Sequence, residues 1–551
     1  MNRDDPTLRH LNLHDSTLHL MLRVAQPLLP KMASDRLSPS LCYRGRFRSA
    51  PMMQTLDPLV YYRVFQTKDI RFDGQVFIAV RSTGIYCRPI CPANTPKPEN
   101  CMFYPSAAAA QSAGFRPCLR CRPELSPRLF SYVGTASTVS RALRLIAEGA
   151  LDQGTVAALA ARLGISDRHL RQLFQQHLGT SPLAIAQTRR LQFAKQLIDE
   201  TPMPMTDVAI AAGFASIRRF NDVLVKTYGR SPSELRRQTV STGETSPSIT
   251  LKLPFSPPYD WTALLQFLSP RAIPGVEVAR PEGYQRAIAL DGQQGWIKVH
   301  PVAGQNYLVA QIQFPKMARL AHIVERLRGM FDLSANTADI SGQFQADPIL
   351  SRIVGLQPGL RIPGAWDAFE LSVRAILGQQ VSVAAATTLA GRLVAAYGEP
   401  LQIAAPDPQL RFVFPPPDVL AAADLTPLGI AKPRAKAIAA LATAAQDPQF
   451  FSQFHSLEAA VQQLCQLPGI GEWTAHYIAM RALREPDAFP TGDLGLLRSM
   501  AAIGYPVTKA QLAEHAQAWR PWRAYAALHL WSVHPTVLAK SPVEQPLSAA
   551  S

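Results

Sequence analysis

The sequence predicts a multidomain, mainly α chain in which two small mixed units are set among helical ones. Three observations carry that expectation. Its 551 residues exceed what one compact core holds, so about three or four domains are expected. A pattern of helix, glycine turn and helix occurs twice, beginning at Thr155 and at Met205. From Pro348 to His534 the apolar spacing is helical almost throughout, broken by a Pro-rich loop at Phe414 to Asp418.

Composition narrows the function. A formal charge of +16, from 56 Lys and Arg against 40 Asp and Glu, favours a polyanionic partner, either nucleic acid or a membrane surface. Membrane is the weaker choice. No run of about eighteen apolar residues exists, and the modestly apolar Leu18 to Pro30 is interrupted by Arg23 and lacks a cleavage site. The expectation is an intracellular, cytoplasmic chain associated with the nucleoid. Seven cysteines, four of them in two close pairs, suit a metal site in a reducing compartment better than a disulfide framework.

Taken in order, residues 1–55 read as a disordered tail or a misassigned start, with Met52 or Met53 as the true beginning. Residues 56–128 form a compact unit with the pairs Cys87-Arg-Pro-Ile-Cys91 and Cys118-Leu-Arg-Cys121. Four thiolates so grouped can close a tetrahedral shell around Zn²⁺. From spacing alone, a zinc ion that only staples a small domain is the favoured interpretation. Cys101 reads as a small buried hydrophobe, and Cys42 and Cys465 receive no role.

Residues 135–238 read as short helices. Thr155-Val-Ala-Ala-Leu-Ala-Ala-Arg-Leu-Gly-Ile-Ser166 is followed by a second helix capped by Ser166, and Met205-Thr-Asp-Val-Ala-Ile-Ala-Ala-Gly-Phe-Ala-Ser216 repeats the arrangement. The units end alike, Gly179-Thr-Ser-Pro182 and Gly229-Arg-Ser-Pro232. Arg168, His169, Arg171 and Gln172 in one, and Arg218, Arg219 and Asn221 in the other, form a face suited to a DNA major groove. After a polar linker at 239–248, residues 249–335 alternate like strands, with helices at Asp260 to Ser269 and Ala318 to Phe331. Residues 345–540 are the helical body. There the turn Leu467-Pro-Gly-Ile-Gly471 leaves the amides of Gly469 to Gly471 free at a helix N-terminus, where a phosphate is held by N–H groups and the helix dipole. The carboxylate of Asp493 follows on a loop, in Phe489-Pro-Thr-Gly-Asp493.

These motifs carry three resemblances. Thr83-Gly-Ile-Tyr-Cys87-Arg-Pro-Ile-Cys91-Pro with Ala113-Gly-Phe-Arg-Pro-Cys118-Leu-Arg-Cys121 resembles the N-terminal domain of the Ada family of alkylation-damage sensors. That resemblance implies a small zinc-bound α/β domain in which Cys87 irreversibly accepts the methyl group of a DNA methyl-phosphotriester. It also implies that Cys87, Cys91, Cys118 and Cys121 ligate the metal, with Thr83 and Arg116 near the DNA backbone. A four-thiolate zinc centre carries a charge of about −2 and repels phosphate; turning one thiolate into a thioether removes one negative charge and should raise affinity for DNA. The tandem motif resembles the AraC family of regulators, which implies an all-α double helix-turn-helix on promoter DNA and RNA polymerase as a partner.

Leu251-Lys-Leu-Pro-Phe-Ser-Pro-Pro-Tyr-Asp-Trp261, Trp366-Asp-Ala-Phe-Glu-Leu-Ser-Val-Arg-Ala-Ile-Leu-Gly-Gln-Gln-Val-Ser-Val383 and Pro521-Trp-Arg-Ala-Tyr525 are similar to DNA-3-methyladenine glycosylase II, of the helix-hairpin-helix superfamily. This implies a small α+β domain packed on an all-α glycosylase body that flips an alkylated purine out of double-stranded DNA and hydrolyses its glycosidic bond. Asp493 is then the catalytic carboxylate, stabilising an oxocarbenium-like sugar by electrostatics with some general-base assistance. Trp473, Tyr477 and Trp531 form the base pocket, each contact with a cationic base worth about 0.5–2 kcal/mol. Gly469 and Gly471 hold the phosphate. Gln380 stands at the wedge, where the best-known member has Leu. Bifunctional relatives carry Lys directly after the hairpin; Trp473 takes that place, which implies a monofunctional enzyme. The cysteines of an iron–sulfur relative and the Pro-Cys-His-Arg-Val motif of an O6-alkylguanine transferase are missing from the sequence. The combined expectation is a methyl sensor, activator and glycosylase in one chain. Two alternatives are a glycosylase whose zinc and helix-turn-helix modules only localise it to DNA, and a regulator whose glycosylase half is only a DNA platform.

Overall fold

The computed structural model describes residues 57–127, 137–236 and 248–533. The expected tail at 1–55, Cys42 and all of the linker but Ser248 lie outside the described residues. No helix among the described residues is long and apolar enough to cross a membrane.

The cysteine unit is built on a four-stranded sheet. It comprises α1 (Pro58–Gln66), β1 (Phe77–Val80), β2 (Ile85–Cys87), β3 (Cys101–Tyr104), α2 (Ala107–Ser112) and β4 (Arg116–Pro117), in strand order β3-β1-β2-β4. The all-apolar β1, Phe-Ile-Ala-Val, is buried along its whole length, as a central strand requires. Ser106 caps α2 and donates its hydroxyl to the Leu178 carbonyl at 2.7 Å, which docks this unit on the next. Tyr86 is fully buried, and its hydroxyl accepts from both Gln111 and Gln192 at 3.0 Å.

The double helix-turn-helix follows: α3 (Ser137–Ala147), α4 (Val156–Arg162), α5 (Asp167–Leu178), α6 (Pro182–Glu200), α7 (Met205–Ala211), α8 (Ile217–Tyr228) and α9 (Pro232–Arg236). Ser166 and Ser216 cap α5 and α8 at their third amides, each at 3.2 Å, as the repeated motif predicts. The expectation of short helices fails for α6, which runs nineteen residues. Its apolar residues face both motifs at once, so neither core closes without it.

Next come β5 (Ile249–Pro254), α10 (Trp261–Leu268), β6 (Glu277–Arg280), β7 (Gly283–Leu290), β8 (Gln293–Pro301), β9 (Tyr307–Gln313) and α11 (Leu320–Met330). The strands form an antiparallel sheet in the order β5-β9-β8-β7-β6. Along β9 the burial alternates strictly, which is the period-two pattern read from the sequence. One core joins Leu197, Val208 and Phe220 of the helix-turn-helix to Leu251 and Leu308 of the sheet and Ile323 of α11.

The body comprises α12 (Thr337–Phe344), α13 (Leu350–Val354), α14 (Ala368–Leu377), α15 (Val383–Tyr397), β10 (Glu399–Pro400), β11 (Phe412–Val413), α16 (Pro417–Ala422), α17 (Lys432–Ala445), α18 (Leu457–Cys465), α19 (Glu472–Arg481), α20 (Leu494–Ala502), α21 (Lys509–His515) and α22 (Arg523–Ser532). The β10–β11 ribbon corrects the expectation of a single Pro-rich loop at 414–418: paired backbone precedes it, and α16 already begins at Pro417.

Sheet and body are tied by a buried charge cluster. Arg286 of β7 contacts Glu370 of α14 at 2.6 Å and Glu277 of β6 at 3.4 Å, while Arg374 reaches Glu277 at 3.0 Å. Removing one partner of such a cluster strands a charge away from water, which is far costlier than losing a surface pair. Arg286→Met is therefore expected to lower the stability of the glycosylase half by about 3 kcal/mol, read as a shifted urea midpoint by tryptophan fluorescence.

Candidate functional site

The helix-hairpin-helix is α18, the turn at Gln466–Gly471, and α19. Gly469 adopts φ +79°, and a Cβ there would stand 2.8 Å from that of Ala437, so the turn needs glycine on both counts. The expectation that every amide from Gly469 to Gly471 is free needs correction. Ile470 spends its N–H on the Leu467 carbonyl at 3.2 Å, closing the turn. The amides of Gly469 and Gly471 take no protein acceptor among the described residues. Both glycines are exposed at the start of α19, the geometry that suits an anion.

Asp493 stands not within a loop but at the N-cap of α20, where its Oδ1 accepts from the Leu496 amide at 2.9 Å. Trp531 Nε1 donates to the same oxygen at 2.9 Å, and Trp473 Nε1 donates to Oδ2 at 2.9 Å. Three N–H groups thus fix both oxygens. A Cβ at Gly495 would lie 2.8 Å from Asp493 Oδ1 and 3.4 Å from the Trp531 ring, so only glycine lets indole and carboxylate approach.

Asp493 lines a cavity of about 660 Å³ together with Trp473, Tyr477 and Trp531. The three expected pocket aromatics are therefore brought together with the expected acid. Trp473 and Tyr477 stack at 5.4 Å with an interplanar angle of 10°, and Tyr477 meets Trp531 at 6.5 Å. Part of the lining was missed from the sequence. Phe267 of α10 and Arg271 come from the α+β domain, and Arg374 and Arg481 from the body. Arg481 donates to the Tyr477 hydroxyl at 2.7 Å, and its guanidinium lies 4.8 Å over the Phe267 ring. Burial alone would raise the Tyr477 hydroxyl, but the guanidinium groups of Arg481 and Arg271 outweigh it and hold the group below the usual tyrosine range. The spacing of Tyr477 and Arg481, one helical turn apart, was the available signal.

Gln380, the expected wedge, is exposed and held at φ +55° after α14. Its neighbour Gln379 explains how that loop is anchored: the side-chain amide donates to the Gly469 carbonyl at 2.8 Å and to Thr474 Oγ1 at 3.1 Å. The loop that carries Gln380 is thus tied directly to the hairpin.

In the cysteine unit the Sγ atoms of Cys87, Cys91, Cys118 and Cys121 all lie within 4.8 Å of one another. A tetrahedral Zn–S shell at about 2.3 Å needs sulfurs about 3.8 Å apart, so the cluster fits the ion. Four thiolates can coexist this close only when a cation takes up their charge. Arg88 supports the site with its N–H 3.3 Å from Cys121 Sγ and a buried ion pair to Asp73. Exposure does not single out the acceptor, since Cys87 at 6 %, Cys118 at 7 % and Cys121 at 7 % are alike. Thr83 and Arg116 are both exposed at one sheet edge, where the Arg116 amide donates to the Gly84 carbonyl at 2.8 Å. Cys101 is half-buried, with its Sγ 3.5 Å from the Lys97 carbonyl, rather than buried as expected. Cys465 is exposed.

On α5, Arg168, His169, Arg171 and Gln172 are exposed, as are Arg218, Arg219 and Asn221 on α8. Among the described residues Arg171 makes only an exposed i,i+4 contact to Asp167 at 3.6 Å, which leaves its charge to solvent.

Four family profiles match the chain in order. They are the metal binding domain of Ada over residues 60–124, a helix-turn-helix domain over 159–238, the AlkA N-terminal domain over 250–367 and the HhH-GPD superfamily of base excision DNA repair proteins over 373–524. The probable bifunctional transcriptional activator/DNA repair enzyme AlkA of Mycobacterium tuberculosis is 40% identical over 481 residues, covering 86% of this chain and 96% of that one. The chain belongs to this family. DNA-3-methyladenine glycosylase 2 of Escherichia coli is 36% identical over 283 residues, 51% of this chain and 95% of its own. The bifunctional transcriptional activator/DNA repair enzyme Ada of Escherichia coli is 32% identical over 169 residues, 31% of this chain and 46% of its own. The Ada-type profile and the four-sulfur cluster together make the cysteine unit a zinc site.

Because its core shares residues with the metal cluster, this unit should not survive removal of the ion. Chelation at neutral pH is expected to release one zinc per chain and to expose residues 57–127 to protease, leaving the glycosylase half resistant; limited proteolysis with metal analysis checks this.

Proposed function

We propose that this chain excises alkylated purines from double-stranded DNA and, through its zinc unit, converts alkyl damage of the DNA backbone into activation of transcription. The single observation that carries the glycosylase reading is Asp493, its two oxygens held by three N–H donors in the wall of a cavity with room for a base, beside the hairpin. The free amides of Gly469 and Gly471 receive a backbone phosphate, and Gln380 fills the gap left in the stack. The everted purine enters between Trp473, Tyr477 and Trp531. Alkylation at N3 or N7 makes the base cationic and a good leaving group, so extrusion and sugar stabilisation are the main tasks left to the protein. As the C1′–N bond lengthens, positive charge builds on the sugar and the fixed Asp493 carboxylate stabilises it without reorganising. Water then attacks C1′, giving the free base and an abasic site. Arg271 supplies N–H donors on the cavity wall for acceptor atoms of the departing base.

Two observations favour a monofunctional enzyme. Trp473 follows the hairpin and spends its N–H on Asp493, and no lysine lines the cavity among the described residues.

In the zinc unit, Cys87, Cys91, Cys118 and Cys121 hold the ion, which when bound keeps the sulfurs as thiolates. Cys87 Sγ attacks the methyl carbon of a methyl-phosphotriester. The S–C bond forms, the C–O bond breaks, and its electron pair restores an ordinary phosphodiester. Thr83 and Arg116 contact the backbone beside it. The lost negative charge strengthens DNA binding, and Arg168, Arg171, Arg218 and Arg219 read promoter DNA for RNA polymerase in the cytoplasm.

Asp493→Asn is expected to slow release of the alkylated base from a duplex by about 10²-fold or more, and breakage of the wild-type product is expected only after alkali; a gel assay reads both. Strand cutting without alkali would refute monofunctional action. Cys87→Ala should abolish uptake of one methyl group per chain from methyl-phosphotriester DNA, by intact mass, and leave base excision at the wild-type rate.

A further inference from the structure

The first helix of the regulatory module packs against the glycosylase both at α11 and at the ends of the hairpin. Arg141 of α3 forms a bidentate ion pair with Glu485, Nε to Oε1 at 2.9 Å and Nη2 to Oε2 at 3.0 Å, and its Nη1 donates to the His455 carbonyl. Both side chains are over nine-tenths buried. His455 lies next to Ser456, the N-cap of the hairpin's first helix, α18, and Glu485 lies a turn beyond the end of its second, α19. One guanidinium therefore bridges the two open ends of the helix-hairpin-helix, opposite the turn that grips DNA.

The neighbouring contacts serve the same segment. Arg144, one turn along α3, donates to the Leu483 carbonyl, and Arg484, held at φ +56°, pairs with Glu148 of the segment following α3 at 3.2 Å and with Glu325 of α11 at 3.5 Å. The chain from Leu483 to Glu485 is folded back under α19, with the Glu485 amide on the Ala479 carbonyl at 3.0 Å. That helix carries Trp473, Tyr477 and Arg481, and the same chain runs on to Asp493.

We propose that Arg141, although it belongs to the helix-turn-helix module, is a positioning residue of the glycosylase. By closing the open end of the hairpin it fixes the tilt of α19 and the return of the chain to Asp493, so that excision depends on the regulatory module being docked. This inference rests on the glycosylase reading of the cavity. Displacing catalytic groups by a fraction of an ångström is enough to slow a reaction many-fold while substrate binding changes little.

The test uses the zinc-loaded full chain and a duplex carrying one 7-methylguanine, with single-turnover excision at saturating enzyme, duplex affinity and melting temperature measured for each form. Arg141→Met is expected to slow the single-turnover rate about tenfold with duplex affinity within about twofold of wild type. Replacing both partners, Arg141→Met with Glu485→Met, removes the buried charges together and is expected to recover the melting temperature. It should nevertheless stay as slow as the single variant, because nothing then bridges residues 455 and 485. A pair that only stabilised the fold would regain rate along with stability, and that result overturns the proposal. So does a wild-type single-turnover rate in Arg141→Met or, if that variant does not fold, in Arg141→Gln, whose shorter side chain cannot hold Glu485 and the His455 carbonyl together. Absence of excision by the wild-type chain would overturn the glycosylase reading and this inference with it, whereas the other adverse results sink this inference alone.

Discussion

The glycosylase half depends on one mutual constraint: a carboxylate and two indole N–H groups that satisfy one another. A tryptophan N–H turned inward needs an acceptor, and a half-buried carboxylate needs donors. Trp473 and Trp531 supply the donors from helices α19 and α22, and the amide of Leu496 in the first turn of α20 supplies a third. The consecutive helices α19 and α20 and the more distant α22 are thereby held at one point. The hairpin, the aromatic stack and the α10 face are arranged around that point, and Gly495 leaves the room the arrangement requires.

Charge is handled differently in the three DNA-directed regions, and the difference follows from burial. On α5 and α8 the arginines are exposed and almost unpaired within the protein, which keeps them available for phosphates and base edges. Around the base cavity, Arg374 is neutralised by Glu277 and Glu370, whereas Arg481 is spent on the Tyr477 hydroxyl and backbone carbonyls. At the sulfur cluster the negative charge is tolerable only with a cation present.

The modules are less separate than their motifs suggest. Leu197, Val208 and Phe220 share a core with Leu251 and Leu308. Tyr86, beside the metal ligand Cys87, is hydrogen-bonded to Gln192 on α6, the helix common to both helix-turn-helix motifs. Arg141 is locked into the glycosylase. A change at the sulfur cluster or on α5 and α8 thus has short, packed routes to its neighbours through the described residues.

What the sequence determined by itself is what local chemistry dictates. Paired cysteines mark a metal site because thiolates must be close to share an ion, Ser166 and Ser216 mark helix starts because a hydroxyl three residues from an amide caps it, and Leu467 to Gly471 marks a turn because Gly469 needs a conformation closed to other residues. The strand alternation of Tyr307 to Gln313 was legible for the same reason, since burial on one face leaves a period of two. Only the tertiary structure decided that Ile470 closes the turn with its own amide, that Arg271 and Phe267 come from another domain to line the cavity, and that Arg141 fastens the open end of the hairpin. Those contacts join residues far apart in the chain, and no short-range preference of either partner encodes the other; packing of the finished domains selects them.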